Sequence, residues 1–376
     1  MGLSRRTRIL IVDDSAVMRS LLRSVIGSDP ALEVIGASAD GESALASVES
    51  LKPDLVLLDV EMPVMDGLVT LRKLRSRNQR MPVIMCSSLT QRGAAVTVEA
   101  LAGGASDYVS KPIGQPGIAA ASQALAQELL PKIHALTGHG ASQLGSAALQ
   151  RPVVLPPVAL AQPAARSACA PAVVLIGVST GGPAALDVVL PALPATFPLP
   201  VLIVQHMPEL FTRMLAERLG RRCALHVSEA HEGAQVLPGS VHIARGNWHL
   251  EVTQPLRSGM PPLLHLTQAE PENHCRPAVD VLFRTAASVY GGGALAVILT
   301  GMGYDGLAGC RLVRAQGGTV IAQDEATSTV WGMPGVVARA GLAHRVVPIQ
   351  SIAAEILRHA ARPEPEAREL RESKVS

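Results

Sequence analysis

Three side chains far apart in the chain have the chemistry of an acyl-transfer centre. Ser179 stands in Gly177-Val178-Ser179-Thr180-Gly181, a G-x-S-x-G turn flanked by the apolar run AVVLIGV and a helix-like segment. Small residues around a serine let the backbone turn sharply and present the hydroxyl at a sheet edge, and the N–H groups opening the next helix can face developing negative charge. A hydroxyl nucleophile needs a base, and the next buried run, PVLIVQ, ends in His206. A third run, GGALAVILTG, leads into Met302-Gly303-Tyr304-Asp305-Gly306, where Asp305 could orient the imidazole and stabilise its charged form. A phosphate-binding turn is the competing reading, but the glycines do not complete G-x-G-x-x-G and no G-x-x-x-x-G-K-[ST] occurs.

A second set of polar residues suits phosphoryl chemistry. Asp13 and Asp14 follow RILIV, Asp59 ends PDLVLLD, Ser87 and Ser88 end MPVIMCSS, and Lys111 follows DYVS. A strand-terminal aspartate on its own is ordinarily a helix N-cap. Several such groups at the carboxyl ends of parallel strands can instead converge on one ligand. Three carboxylates suit Mg²⁺, and one of them could attack phosphorus while Lys111 and Ser87 neutralise the moving oxygens.

Residues 8 to 112 repeat a short apolar run followed by an amphipathic segment about five times, which predicts a doubly wound parallel sheet closed by a helix near 117–136. From Thr137 to Ala165 the only formal charge is Arg151, among prolines and small residues, a linker-like composition. Apolar runs of buried-strand type then resume and predict a second α/β domain. The expected division is residues 1–130, a linker at 131–170, a second domain at 171–360 and a charged tail at 361–376.

The tandem Asp13-Asp14, the LLD ending at Asp59 followed by MPVMDG, the Ser87 hydroxyl and Lys111-Pro112 resemble the receiver domain of two-component response regulators. GVSTGGP, VQHMP, NHCRPAVDVLF and LTGMGYDGLAG resemble the catalytic domain of the chemotaxis protein-glutamate methylesterase/protein-glutamine glutaminase family. The chain order Ser, His, Asp departs from that of α/β-hydrolases and argues against an ordinary lipase or esterase. The resemblance implies a flavodoxin-like receiver and a Rossmann-like α/β methylesterase domain. It also implies Asp59 as phospho-acceptor, Asp13, Asp14 and Asp59 around Mg²⁺, and Ser87, Tyr108 and Lys111 as the switch. For the hydrolase it implies Ser179 as nucleophile, His206 as base and acid, Asp305 as orienting carboxylate, and Thr180 and the Met302 N–H as site support, with no cofactor. Gly306 and Arg276 lie in matching motifs without an assigned chemistry. Arg245 stands where the family leads one to expect a proline.

By that resemblance the enzyme hydrolyses glutamate methyl esters and deamidates glutamines on chemoreceptors in chemotactic adaptation. A histidine kinase is the expected phosphodonor, and the unphosphorylated receiver is expected to pack over the hydrolase site. The rivals are a relative serving a non-chemotactic system, a catalytically idle binding module, and a DNA-binding regulator, which the absence of a basic recognition helix disfavours.

Composition narrows the classes further. With 48% hydrophobic and 17% charged residues the chain is of globular type, and Lys+Arg 33 against Asp+Glu 31 gives no surplus that would draw it to nucleic acid. Five cysteines without a Cys-x-x-Cys pair fit a reducing, cytoplasmic setting. Cys275 beside His274 is expected to be structural, because adjacent residues rarely present both side chains to one substrate. The basic start at Arg5, Arg6 and Arg8 precedes an apolar run too short for a signal peptide, and the charge-free stretch Ser167 to Leu186 is broken by prolines and a Gly/Ser/Thr cluster. A monomer without membrane insertion is expected.

Overall fold

A computed structural model describes residues 5–77, 80–88, 90–112, 117–138, 170–255, 257 and 259–361. Of the linker expected at 131–170, residues 131–137 instead continue the helix Ile118–Thr137, and 139–169 lie outside the described residues, as does the expected tail at 361–376 from 362 onward.

The first sheet is built from β1 (Thr7–Val12), β2 (Leu32–Ser38), β3 (Leu55–Asp59), β4 (Val83–Ser87) and β5 (Asp107–Ser110), all parallel in the order β2-β1-β3-β4-β5. That is the flavodoxin-like order, whose strand direction of growth reverses between β1 and β3. The central strands read as unbroken apolar runs because helices cover both faces. Ile9, Leu10, Ile11, Leu55, Leu57 and Leu58 are fully buried. Helices α1 (Ala16–Gly27), α2 (Gly41–Leu51), α3 (Gly67–Ser76), α4 (Gln91–Ala102) and α5 (Ile118–Thr137) complete the domain. Ser15, Asp40, Asp66 and Thr90 cap the first four through their side chains.

The second sheet has seven parallel strands in the order β14-β13-β12-β6-β7-β9-β8. They are β6 (Val173–Val178), β7 (Val201–Gln205), β8 (His226–Glu229), β9 (Ser240–Ile243), β12 (Ala294–Ile298), β13 (Thr319–Gln323) and β14 (Arg345–Val347). The chain runs outward from β6 in one direction and then returns to its other side at β12, so β6 borders the reversal that gives doubly wound sheets their ligand crevice. An antiparallel hairpin of β10 (His249–Thr253) and β11 (Leu263–Thr267), which the apolar-run pattern did not single out, stands apart from this sheet.

The two domains share an apolar core. Ala94, Val98 and Leu101 of α4 belong to the same buried cluster as Leu186, Phe211 and Leu215 of the second domain. Among the described residues no helix is long and apolar enough to cross a membrane.

Candidate active site

Ser179 is the first residue after β6, His206 the first after β7, and β12, the strand on the other side of β6, leads to Asp305. Three adjacent strands thus deliver the three groups to one sheet edge. The Ser179 N–H donates to the Thr300 carbonyl at 3.0 Å, and its own carbonyl accepts from Gly182 N–H at 2.7 Å and from Gln205 Nε2 at 3.0 Å. Gly181 has φ +79°, a left-handed conformation that closes the turn before the helix Gly182–Val189. A Cβ there would meet the Thr329 hydroxyl at 2.3 Å, so any other residue would be strained there on two grounds.

Asp305 is 3% exposed and nearly every lone pair it has is occupied. Its Oδ2 lies 2.8 Å from His206 Nε2 and accepts from Val279 N–H at 2.6 Å. Its Oδ1 accepts from Asn273 Nδ2 at 2.9 Å, Gly306 N–H at 3.0 Å and Asp280 N–H at 3.1 Å. Burial penalises the charged carboxylate, but the His206 hydrogen bond and charge and these donors outweigh it and hold the group below its ordinary value. Burial also works against a charged His206, yet the Asp305 hydrogen bond leads the contributions that hold the ring above the usual histidine range. The same Asn273 amide reaches Asp280 Oδ2 at 2.9 Å, and burial followed by the Asp305 charge pushes Asp280 up to about 6.

Asn273, Gln205, Thr300 and Asp280 were not singled out from sequence. Gln205, beside His206 in the VQH motif, was the one within reach, because a buried glutamine ending an apolar strand needs hydrogen-bond partners. Cys275, expected to be structural, borders the site. It is half-buried, and its Sγ faces His206 Nδ1 at 3.7 Å, so its partner comes from another strand end and not from the adjacent His274. Met302 lines a cavity together with Ser179, His206 and Cys275, and among the described residues no hydrogen bond uses its N–H or the Ser179 hydroxyl. Arg245, in the place expected for a proline, pairs with Glu209 through Nε at 3.0 Å, away from these residues.

In the first domain Asp13, Asp14 and Asp59 gather at the β1/β3 reversal, with one ligand oxygen from each within 4.8 Å of the others. Lys111 Nζ lies 2.7 Å from Asp59 Oδ1 and 2.9 Å from Asp13 Oδ2. Burial pushes Asp59 up to about 6 despite the lysine. Ser87 is fully buried and accepts a 2.7 Å hydrogen bond from Thr97 Oγ1. Tyr108 is buried too, but it points across the domain boundary, where it stacks on Phe211 with ring centroids 4.6 Å apart. Beside it, Thr180 Oγ1 donates to Asp107 Oδ2 at 2.6 Å. A cavity of about 1200 Å³ opens between the domains, lined by Ser179, His206, Cys275 and Met302 on one side and by Asp107 and Lys132 on the other.

The family described as CheB methylesterase matches residues 174–356, and the response regulator receiver domain matches residues 9–123. A relative from Nocardioides sp., named protein-glutamate methylesterase/protein-glutamine glutaminase, is 46% identical over 361 residues, which span 95% of this chain and 96% of the relative. This chain belongs to the CheB methylesterase family. A relative of the same name from Azospirillum brasilense is 43% identical over 375 residues, 94% of this chain and 93% of its own. The solved CheB methylesterase catalytic domain from Thermotoga maritima is 43% identical, with a TM-score of 0.49, covering 50% of this chain and 99% of that one. Membership makes the protein a hydrolase of the methylesterase type carrying a receiver domain.

Proposed function

We propose that the protein removes methyl esters from glutamate side chains and amide nitrogen from glutamine side chains of chemoreceptors, at the edge formed by Ser179, His206 and Asp305. The observation that carries this reading is the 2.8 Å His206–Asp305 pair placed one strand from Ser179, with the carboxylate locked by four further donors. Asp305 occupies Nε2, which leaves Nδ1 as the ring nitrogen that exchanges protons with Ser179. Ser179 Oγ attacks the γ-carbonyl carbon as its proton passes to Nδ1. The tetrahedral oxyanion takes hydrogen bonds from the Met302 N–H and the Thr180 turn. Collapse expels methanol, or ammonia from glutamine, protonated by His206. Water deprotonated by the same ring then attacks the acyl-serine and releases glutamate. The test is methanol release from methyl-esterified receptor membranes by the full chain and by Ser179→Ala. Loss of release in the variant is expected, and equal release from both would overturn the reading.

The first domain supports a second, regulatory part of the proposal, with Asp59 as phospho-acceptor and a histidine kinase as phosphodonor. The carboxylates of Asp13, Asp14 and Asp59 fit a hard cation, since they are oxygen donors that converge and Lys111 alone offsets a charge that burial already disfavours. Mg²⁺ held there supplies positive charge for the phosphoryl oxygens. Asp59 Oδ provides the attacking lone pair, Lys111 Nζ and the Ser87 hydroxyl bind phosphoryl oxygens, and Thr97 orients Ser87. The Asp107–Thr180 hydrogen bond and the Tyr108–Phe211 stack support a docked receiver that covers the nucleophile's turn until phosphorylation shifts it. Phosphorylated protein should release methanol faster than unphosphorylated protein, and identical rates would sink this part.

A further inference from the structure

We propose that Cys275 and His206 form a reversible inhibitory site for a soft divalent cation, Zn²⁺ being the type case. Cys275 Sγ and His206 Nδ1 are 3.7 Å apart. Tetrahedral zinc, with Zn–S about 2.3 Å and Zn–N about 2.0 Å, separates a sulfur and a nitrogen donor by roughly 3.5 Å, so the pair is already at the spacing of one edge of the coordination tetrahedron. The far side of the imidazole completes the pattern. Asp305 binds Nε2, which fixes the ring and raises the basicity of Nδ1, the arrangement in which a carboxylate supports a metal-bound histidine from the outer shell. Asp305 stays in that outer position because Val279, Asp280, Gly306 and Asn273 occupy its oxygens.

Both donors face the cavity between the domains, which leaves the remaining coordination positions to solvent. Two protein ligands make an exchangeable site, unlike a closed structural one. On binding, the thiol proton leaves to solvent, and the metal takes the Nδ1 lone pair in place of a proton. The inhibitory consequence rests on the proposed use of Nδ1 against Ser179, whereas the binding itself does not. The other cluster of this kind among the described residues, Asp13, Asp14 and Asp59, offers only oxygen and selects a hard ion.

Cobalt reports the two sites separately, because only a thiolate gives a sulfur-to-cobalt charge-transfer band. The full chain is titrated with Co²⁺ in excess Mg²⁺. A near-ultraviolet band that saturates at one equivalent, disappears on adding Zn²⁺, and is missing in Cys275→Ala and in the near-isosteric Cys275→Ser is expected. In parallel, Zn²⁺ should inhibit methanol release reversibly with a chelator. The inhibition midpoint should rise at least tenfold in either variant, each referred to its own zinc-free rate. A wild-type chain without the band, or variants with unchanged band or unchanged zinc midpoint, would overturn the site. A band without any zinc-free methanol release would instead leave the site standing and count against the methylesterase reading.

Discussion

The two strand-end sites each bury a carboxylate, and they treat it in opposite ways. Asp59 has Lys111 as its close cation and one long 3.4 Å contact from the Glu61 N–H, and burial lifts it to about 6. Asp305 is just as buried, yet five donors surround it and it is held below its ordinary value. The difference matches the roles proposed for the two groups. A group that attacks phosphorus keeps a lone pair unspent, whereas a group that orients an imidazole is useful only if it stays charged and does not move.

The sharpest way to break this comparison starts on the hydrolase side. Ser179→Ala should lower methanol release by about 10⁴-fold or more with the fold intact, since the members of such a set act as a unit. Asp305→Asn should cost roughly 10³- to 10⁴-fold. In that variant the acid limb of the pH–rate profile should move to lower pH, because His206 loses the carboxylate that holds its proton. A profile with an unmoved limb would mean that Asp305 does not set the ring's basicity.

Next comes the contact between the sites. A hydrogen bond to a charged acceptor contributes about 1.5–3 kcal/mol, so Asp107→Asn should loosen docking and raise unphosphorylated activity by roughly 10- to 100-fold. The phosphorylated rate should stay level, and steady-state assays of both forms measure the two numbers directly. Asn273→Ala removes one of the five donors to Asp305 and should lower the rate by about 10-fold, less than the loss of the carboxylate.

The smallest effect is on stability. The folded-state value of Asp59 lies above its unfolded value near 4, so the ionised group destabilises the metal-free fold. Stability in chelator should be greatest below about pH 4 for this group's contribution and should fall by about 1–3 kcal/mol as pH rises through 6. Urea unfolding across that range should show the slope in the wild type and a flatter one in Asp59→Asn.

The residues that end apolar runs were legible in the sequence, because a buried parallel strand is a continuous apolar stretch and its first polar neighbour marks the sheet edge. Asp13, Asp59, Ser87 and Ser179 are all of this kind, and His206 follows one residue later, after Gln205. What escaped is the set of partners supplied by segments remote in sequence. Asn273 meets Asp305 from 32 residues away, and Thr180 meets Asp107 from 73. Cys275 reads from sequence as a structural residue with no tie to His274, and the fold turns it toward His206, 69 residues away. The hairpin of β10 and β11 also escaped, since its half-buried alternation carries less apolar signal than a buried strand.

The hydrogen bond from Thr180 to Asp107 has one more implication, which concerns the direction of information flow. Thr180 adjoins the nucleophile and Asp107 opens β5, the strand that leads to Lys111. If phosphorylation shifts the docked receiver as proposed, a single docking equilibrium links the hydrolase cleft to Asp59, and thermodynamic linkage runs both ways. Whatever factor phosphorylation contributes to substrate binding, bound substrate returns to the phosphorylated state. A chemoreceptor side chain seated at Ser179 would then act as an effector of the receiver as well as a substrate of the hydrolase.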